Sequence, residues 1–166
     1  CLEADQRTSG LLDALDRANG WATFYCTRDF LESNGELLRR MAASGYAVGI
    51  LVESGEDIAE QLQRGNEALY RATLGKTRLI YVPDAETTEL QALEETGWRC
   101  LKPSMNRSDY KLESSSNASA LMKRVSARRG DVSVWLGTTA SAAGLREFVI
   151  SAQGAGHYCR AMTEIG

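Results

Sequence analysis

The sequence predicts an α/β domain of mostly parallel strands, and three observations carry that reading. An amphipathic helix-like stretch, a glycine and a short apolar strand-like run follow one another six times along the 166 residues. The strand-like runs are mostly continuous in apolar residues, as in strands covered on both faces. Successive units lie about 22 to 33 residues apart, room for one helix, one strand and short loops. Right-handed crossovers between parallel strands leave a doubly wound sheet or a β/α barrel. A solenoid is disfavoured, because the units share no residue consensus beyond the glycine.

The six units follow in order. The first is Leu11–Ala18, Gly20 and Trp21–Cys26; the second Glu36–Ala43, Gly45 and Tyr46–Val52; the third Ile58–Thr73, Gly75 and Arg78–Val82. The fourth is Glu89–Glu95, Gly97 and Trp98–Leu101; the fifth Ala118–Ala127, Gly130 and Val132–Leu136; the sixth Leu145–Ala152, Gly156 and His157–Met162. Each glycine is expected to close its helix in the left-handed conformation, which costs a residue without Cβ nothing. Proline occurs only at Pro83 and Pro103, and the polar patch Ser114-Ser115-Ser116-Asn117 is too short for a linker, so residues 1–166 are expected to form one domain. That patch reads as a loop ending in a helix N-cap.

Composition narrows the chemistry. An apolar share of 43% with 25% charged residues is that of a globular chain. No apolar run is long enough to cross a membrane, and Cys1-Leu2-Glu3-Ala4-Asp5 lacks the regions of a signal peptide, so no membrane insertion is expected. The formal charge is −3, and the basic residues Lys123, Arg124, Arg128 and Arg129 alternate with others as on one helix, so nucleic acid is not an expected partner. With His157 as the single histidine, most zinc sites, Ser-His-Asp triads and Cys-His pairs are ruled out unless that one residue serves. The four cysteines, Cys1, Cys26, Cys100 and Cys159, contain no CxxC and read first as buried free thiols, with a disulfide as the alternative.

Trp21-Ala22-Thr23-Phe24-Tyr25-Cys26, then Phe30-Leu31, Glu36-Leu37-Leu38-Arg39-Arg40-Met41 and Gly45-Tyr46-Ala47-Val48-Gly49, closely resemble consecutive motifs of the polysaccharide deacetylases, the chitooligosaccharide-deacetylase-like carbohydrate esterases. The resemblance continues in order through Asp57–Leu69, Arg78–Pro83, Leu90–Trp98, Val132–Gly137 and Leu145–Met162. It implies a partly open or distorted β/α barrel, and a chain that begins inside its first strand. It also implies a reaction in which a divalent metal, held by one aspartate and two histidines, polarises an acetamide and activates water; a second aspartate is the base and a late histidine the acid.

The residues at those places depart from the pattern. Leu51 and Gly55 resemble the metal histidine positions, Gly137 the late histidine, Tyr81 the arginine that orients the base, Ala4 the base and Asp5 the metal aspartate. The resemblance therefore implies a degenerate member with no metal site and no cofactor, because a lone carboxylate does not hold zinc against water.

Candidate ligand contacts follow from the C-terminal ends of the strand-like runs, where β/α folds carry their sites. These are Asp5, Glu53, Asp84, Asn106, Arg107, Asp109 and Thr138. Asp5, Glu53, Asp84 and Asp109 suit an oxygen-ligand Mg²⁺ or Ca²⁺ site in principle, although composition alone supplies that many acids. Tyr25, Tyr81, Tyr110 and Trp135 suit either a sugar-stacking platform or the core, whereas Trp21, Tyr46 and Trp98 open strands at the opposite end and read as packing residues. His157 reads as a strand-entry residue, and Asn106-Arg107-Ser108 and Asn117-Ala118-Ser119 match a glycosylation pattern.

The expectation is a catalytically inactive deacetylase-like domain of a cell-envelope or extracellular protein, the location resting on resemblance alone. It would bind a polysaccharide or oligosaccharide through Asp5, Tyr25, Glu53, Tyr81, Asp84, Asp109 and Trp135, or act as a scaffold. The alternative is a carbohydrate-directed hydrolase of altered mechanism with Asp5 and Glu53 as acid and base. A third reading is a spacer or dimerisation unit; the sequence assigns no oligomeric state.

Overall fold

The structure, a computed structural model, describes residues 1–105 and 112–160. In chain order its elements are β1 (Leu2–Glu3), α1 (Thr8–Ala18), β2 (Thr23–Cys26), α2 (Arg28–Ser33), α3 (Gly35–Ala43), β3 (Ala47–Leu51), α4 (Ile58–Thr73), β4 (Leu79–Tyr81), α5 (Thr87–Glu95), β5 (Arg99–Cys100), α6 (Ser115–Ser126) and α7 (Ala142–Gly154). Contacts group them into two units, Phe24–Lys102 and Cys1–Thr23 with the described residues from Pro103 on. The α/β class predicted from the glycine-spaced repeats is the class observed.

Within Phe24–Lys102 the strands lie side by side in the order β2, β3, β4, β5. β3 and β4 are parallel with Ile50 opposite Ile80 and Leu51 opposite Tyr81, and β4 and β5 are parallel with Ile80 opposite Cys100. Each strand is followed by helix, so the next strand starts again from the same edge and parallel pairing results. Phe24, Tyr25, Cys26, Ile50 and Ile80 are completely buried, which explains why these runs show no alternation. Each large apolar side chain so covered contributes about 1.5–3 kcal/mol.

α4 matches the predicted Ile58–Thr73 at both ends. It starts where the Asp57 carboxylate accepts the Glu60 N–H at 2.7 Å, and it buries Leu62, Gly65, Ala68 and Leu69 on one face. α2 and α3 pack on it, and a Cβ at Gly65 would lie 3.1 Å from Ile50 and 3.2 Å from Leu31, so glycine lets the helix sit close. α2 has no counterpart among the predicted units; Thr27 caps it by accepting the Phe30 N–H at 3.2 Å.

In the other unit α7 packs against α1 and α6. Leu11, Leu12 and Leu15 of α1, Leu121 of α6, and Leu145, Val149 and Ala152 of α7 are buried. β1 is bridged in parallel to Gly137, and Met105 to Val134.

Several expectations are corrected. Val132–Leu136 is not a strand but irregular chain with an isolated bridge at Val134, and Val132 to Val134 are only half-buried. His157 to Arg160 form no strand, and the remainder of that run, Ala161 and Met162, lies outside the described residues. After α1 and α4 the left-handed residue is Asn19 (φ 50°) or Leu74 (φ 61°) rather than Gly20 or Gly75. Gly20 serves close packing instead, since a Cβ there would meet Val149 Cγ1 at 2.9 Å. The serine patch is shorter as a loop than expected: Ser114 is the N-cap, in a reciprocal capping box with Asn117, and helix begins at Ser115. All four cysteines are free; Cys26 is buried, and Cys1, Cys100 and Cys159 are only half-buried.

Candidate functional site

β3 and β4 end side by side at Leu51 and Tyr81, and the Val52 N–H continues the ladder by donating to the Tyr81 carbonyl at 2.9 Å. The turns that follow both strands frame one cleft of about 160 Å³. Glu53, Glu56, Asp84 and Glu89 line it, over a floor that includes Val52 and Val82. Two of these carboxylates are engaged: Glu56 pairs with Arg28 Nη1 at 2.8 Å, and Glu89 closes the capping box of α5 by accepting the Glu86 N–H at 2.9 Å. Glu53 and Asp84 are exposed, and among the described residues no side-chain hydrogen bond or ion pair engages either carboxylate. Two free carboxylates on one rim can accept hydrogen bonds from hydroxyl-bearing ligands.

The main chain of Glu53 is held by a residue that sequence analysis missed. Gln61, in the first turns of α4, is completely buried. Its Oε1 accepts the Glu53 N–H at 2.8 Å, and its Nε2 donates to the carbonyls of Glu53 at 2.9 Å and Glu56 at 3.4 Å. The available signal was its place in the helical period: Gln61 shares the buried face with Gly65 and Ala68, where a polar residue needs internal partners.

Tyr25 and Tyr81 come together edge to face, with ring centroids 6.1 Å apart. They are 0% and 6% exposed, so they fill the interior beneath the rim, and packing is the role their burial favours. That burial pushes the Tyr25 phenol up, with Arg99 pulling it partly back and Cys100 adding to the rise. Trp135, in the other unit, is buried at 4% exposed.

Asp5 lies in the other unit and is partly exposed. It is already committed: its Oδ1 accepts the Arg7 N–H at 2.8 Å and its Oδ2 pairs with the Arg7 guanidinium at 3.2 Å. That guanidinium also donates to the Thr138 carbonyl. Asn106, Arg107, Asp109 and Tyr110 lie outside the described residues. Of the expected site residues, the fold therefore brings Glu53 to Asp84 and Tyr25 to Tyr81.

The three strand-opening aromatics differ. Tyr46 is buried edge-on to Phe24 and Trp98 is half-buried under the Arg78 guanidinium, both packing as expected. Trp21 is 45% exposed, on the mouth of a separate cavity with Phe148 and Tyr158. His157 is exposed, with Nε2 3.4 Å from Ser126 Oγ, and enters no strand.

The residues at the expected metal positions do not fit a metal. Leu51 is a hydrocarbon side chain buried at the end of β3, and Gly55 has no side chain and a φ of +87°. Among the described residues no group of three or more His, Cys, Asp or Glu side chains is placed to share an ion.

Comparison with solved structures places the fold. The peptidoglycan deacetylase PdaC from Bacillus subtilis is similar with a TM-score of 0.77 at 17% identity, over 99% of this chain and 86% of that one. The polysaccharide deacetylase Bc1974 from Bacillus cereus is similar with a TM-score of 0.79 at 14% identity, over 99% and 92%. The chain has the polysaccharide deacetylase fold. A mutant of BA3943, a CE4 family pseudoenzyme, also shares this fold, with a TM-score of 0.75 at 17% identity over 98% of this chain and 64% of that one. No family model matches the sequence, and no curated protein matches it.

Proposed function

We propose that this chain is a deacetylase-like domain without the deacetylase machinery, which holds a glycan, or acts as a scaffold, in a cell-envelope protein. One observation carries the reading: where the polysaccharide deacetylase fold ends its third strand, this chain has Leu51 in the core and a bare Gly55 in the turn. Neither side chain offers a lone pair to a cation, and Gly137 offers no proton to a leaving amine. Glu53 and Asp84 on the shared cleft are the contacts assigned to a saccharide.

The carboxylate-based hydrolase is the weaker reading, because both carboxylate oxygens of Asp5 are already engaged by Arg7. Metal analysis of the purified chain, with and without zinc or cobalt supplementation, together with calorimetric titration by chitooligosaccharides and peptidoglycan fragments, tests the proposal. The expected result is substoichiometric metal, no acetate release, and binding that weakens in Glu53→Gln and Asp84→Asn. Stoichiometric metal or acetate release overturns the inactive reading; absence of binding to either ligand removes the glycan role and leaves the scaffold.

A further inference from the structure

A metal ion bound between two turns fixes their backbone. At Leu51 and Gly55 the turn after β3 has no side chain for one, yet its main chain is tied down by other means. Gln61 is fully buried in α4, and its carboxamide reads both polar groups of a single residue: it accepts the Glu53 N–H and donates to the Glu53 carbonyl. The second N–H of the same amide reaches the Glu56 carbonyl, so the span 53–56 is held at its two ends. The pattern is that of a neighbouring strand's peptide unit, supplied here by a side chain. It satisfies main-chain groups that lie beyond the last ladder bond, from Val52 to Tyr81. Two further interactions hold the C-terminal end of the same span: Asp57 caps α4 at Glu60, and Arg28 grips the Glu56 side chain.

We propose that Gln61 is the positioning residue of the β3–α4 turn: its carboxamide holds Glu53 in the conformation that presents a carboxylate to the cleft shared with Asp84, in place of an ion. The purpose assigned to the turn rests on the glycan reading above; the clamp itself does not. An apolar side chain of the same length fills the same space but satisfies none of the three main-chain groups. A glutamate keeps the acceptor and loses both donors.

Amide hydrogen exchange on the whole 166-residue chain separates these contributions. In the unmodified protein the Glu53 amide and the Gln61 side-chain N–H protons are expected to exchange slowly, and equally slowly with EDTA or added zinc. In Gln61→Met the Glu53 amide is expected to exchange about tenfold or more faster, while Ile80 and Leu79 in β4 remain as protected as before. Gln61→Glu is expected to fall between the two. Should Gln61→Met fail to fold, the side-chain protons of the unmodified protein still decide the matter: exchange at the rate of free glutamine overturns the clamp. Unchanged Glu53 protection in Gln61→Met assigns the residue to packing alone, and acceleration by EDTA assigns the turn to an ion; either result overturns the proposal. Titration with a tetramer of N-acetylglucosamine is read separately. Weaker binding in Gln61→Met, with β4 protection intact, supports positioning, whereas no binding by the unmodified protein sinks the glycan reading and leaves the exchange result standing.

Discussion

Replacing Gly49 by alanine forces a carbon into the tightest point between β3 and its neighbours. A Cβ at Gly49 would lie 2.5 Å from Tyr25 Cε1, 2.7 Å from Tyr25 Cδ1 and 3.1 Å from the Leu79 carbonyl oxygen. Carbon pairs are at their optimum near 3.5–4.0 Å, so about 1 Å of overlap must be relieved. Neither side yields readily: the Tyr25 ring is fully buried edge-on to Tyr81, and the Leu79 carbonyl belongs to the backbone of β4. Overpacking of this kind costs about 1–3 kcal/mol, and with two rigid neighbours the upper part of that range applies. Alanine's smaller entropy loss in a strand returns about 0.5–1 kcal/mol, leaving a net cost near 2 kcal/mol and a Tm lower by roughly 4–8 °C. Urea and thermal unfolding of Gly49→Ala, Tyr25→Leu and the double variant measure this. The alanine is expected to cost less in the Tyr25→Leu background, where the ring carbons are gone. A Gly49→Ala protein within about 0.5 kcal/mol of the unmodified one, or a cost unchanged by removing the ring, refutes the reasoning.

The Tyr25 phenol predicts a pH dependence. Burial raises its pKa in the folded state, so as pH climbs through the ordinary tyrosine value the unfolded chain releases a proton that the folded chain keeps, and stability falls. Above about pH 10 the loss is up to roughly 1.4 kcal/mol per pH unit, and urea midpoints at pH 9, 10 and 11 should fall less steeply in Tyr25→Phe. The two proteins differ only in that hydroxyl, so equal slopes count against a buried phenol. Leu74 ends α4 in a left-handed conformation, φ 61° and ψ 13°, with a side chain 78% exposed. Leu74→Gly removes a Cβ penalty of about 1 kcal/mol at little loss of contact, and differential scanning calorimetry should give a Tm higher by roughly 2–4 °C, where a lower Tm contradicts the backbone geometry.

Most of the fold was legible because local and tertiary demands coincide in residues 24–102. Ile58–Thr73 was readable to the residue, since Asp57 can cap only a helix starting at Ile58 and the apolar spacing continues to Leu69. The runs around Phe24, Ile50 and Ile80 were readable because complete burial on both faces leaves an unbroken apolar signature. Val132–Leu136 has a similar signature, interrupted at Ser133, but is half-buried as far as Val134 and has little ladder: an apolar run says nothing of whether a neighbouring strand takes up its main-chain bonds. The glycine rule failed at Gly20 and Gly75 for a related reason. It describes what a helix end prefers, whereas Gly20 is required by the proximity of Val149, and the residue before each glycine absorbs the turn.

The site was legible only as a list of exposed acids. Which of them meet depends on how far each turn travels after its strand, and that is set by main-chain anchors with no sequence periodicity. Gln61 shows why. As one polar letter on an apolar face it has no periodicity of its own to mark it, yet three hydrogen bonds tie it to the turn that carries Glu53 to the side of Asp84. A buried carboxamide left without partners would cost more than the helix face gains by it, so its position alone implies a turn folded back onto α4. With Leu51 and Gly55 at the end of β3, such an amide is the kind of residue able to keep the turn in place, and the exchange rate at Glu53 is where its contribution is read.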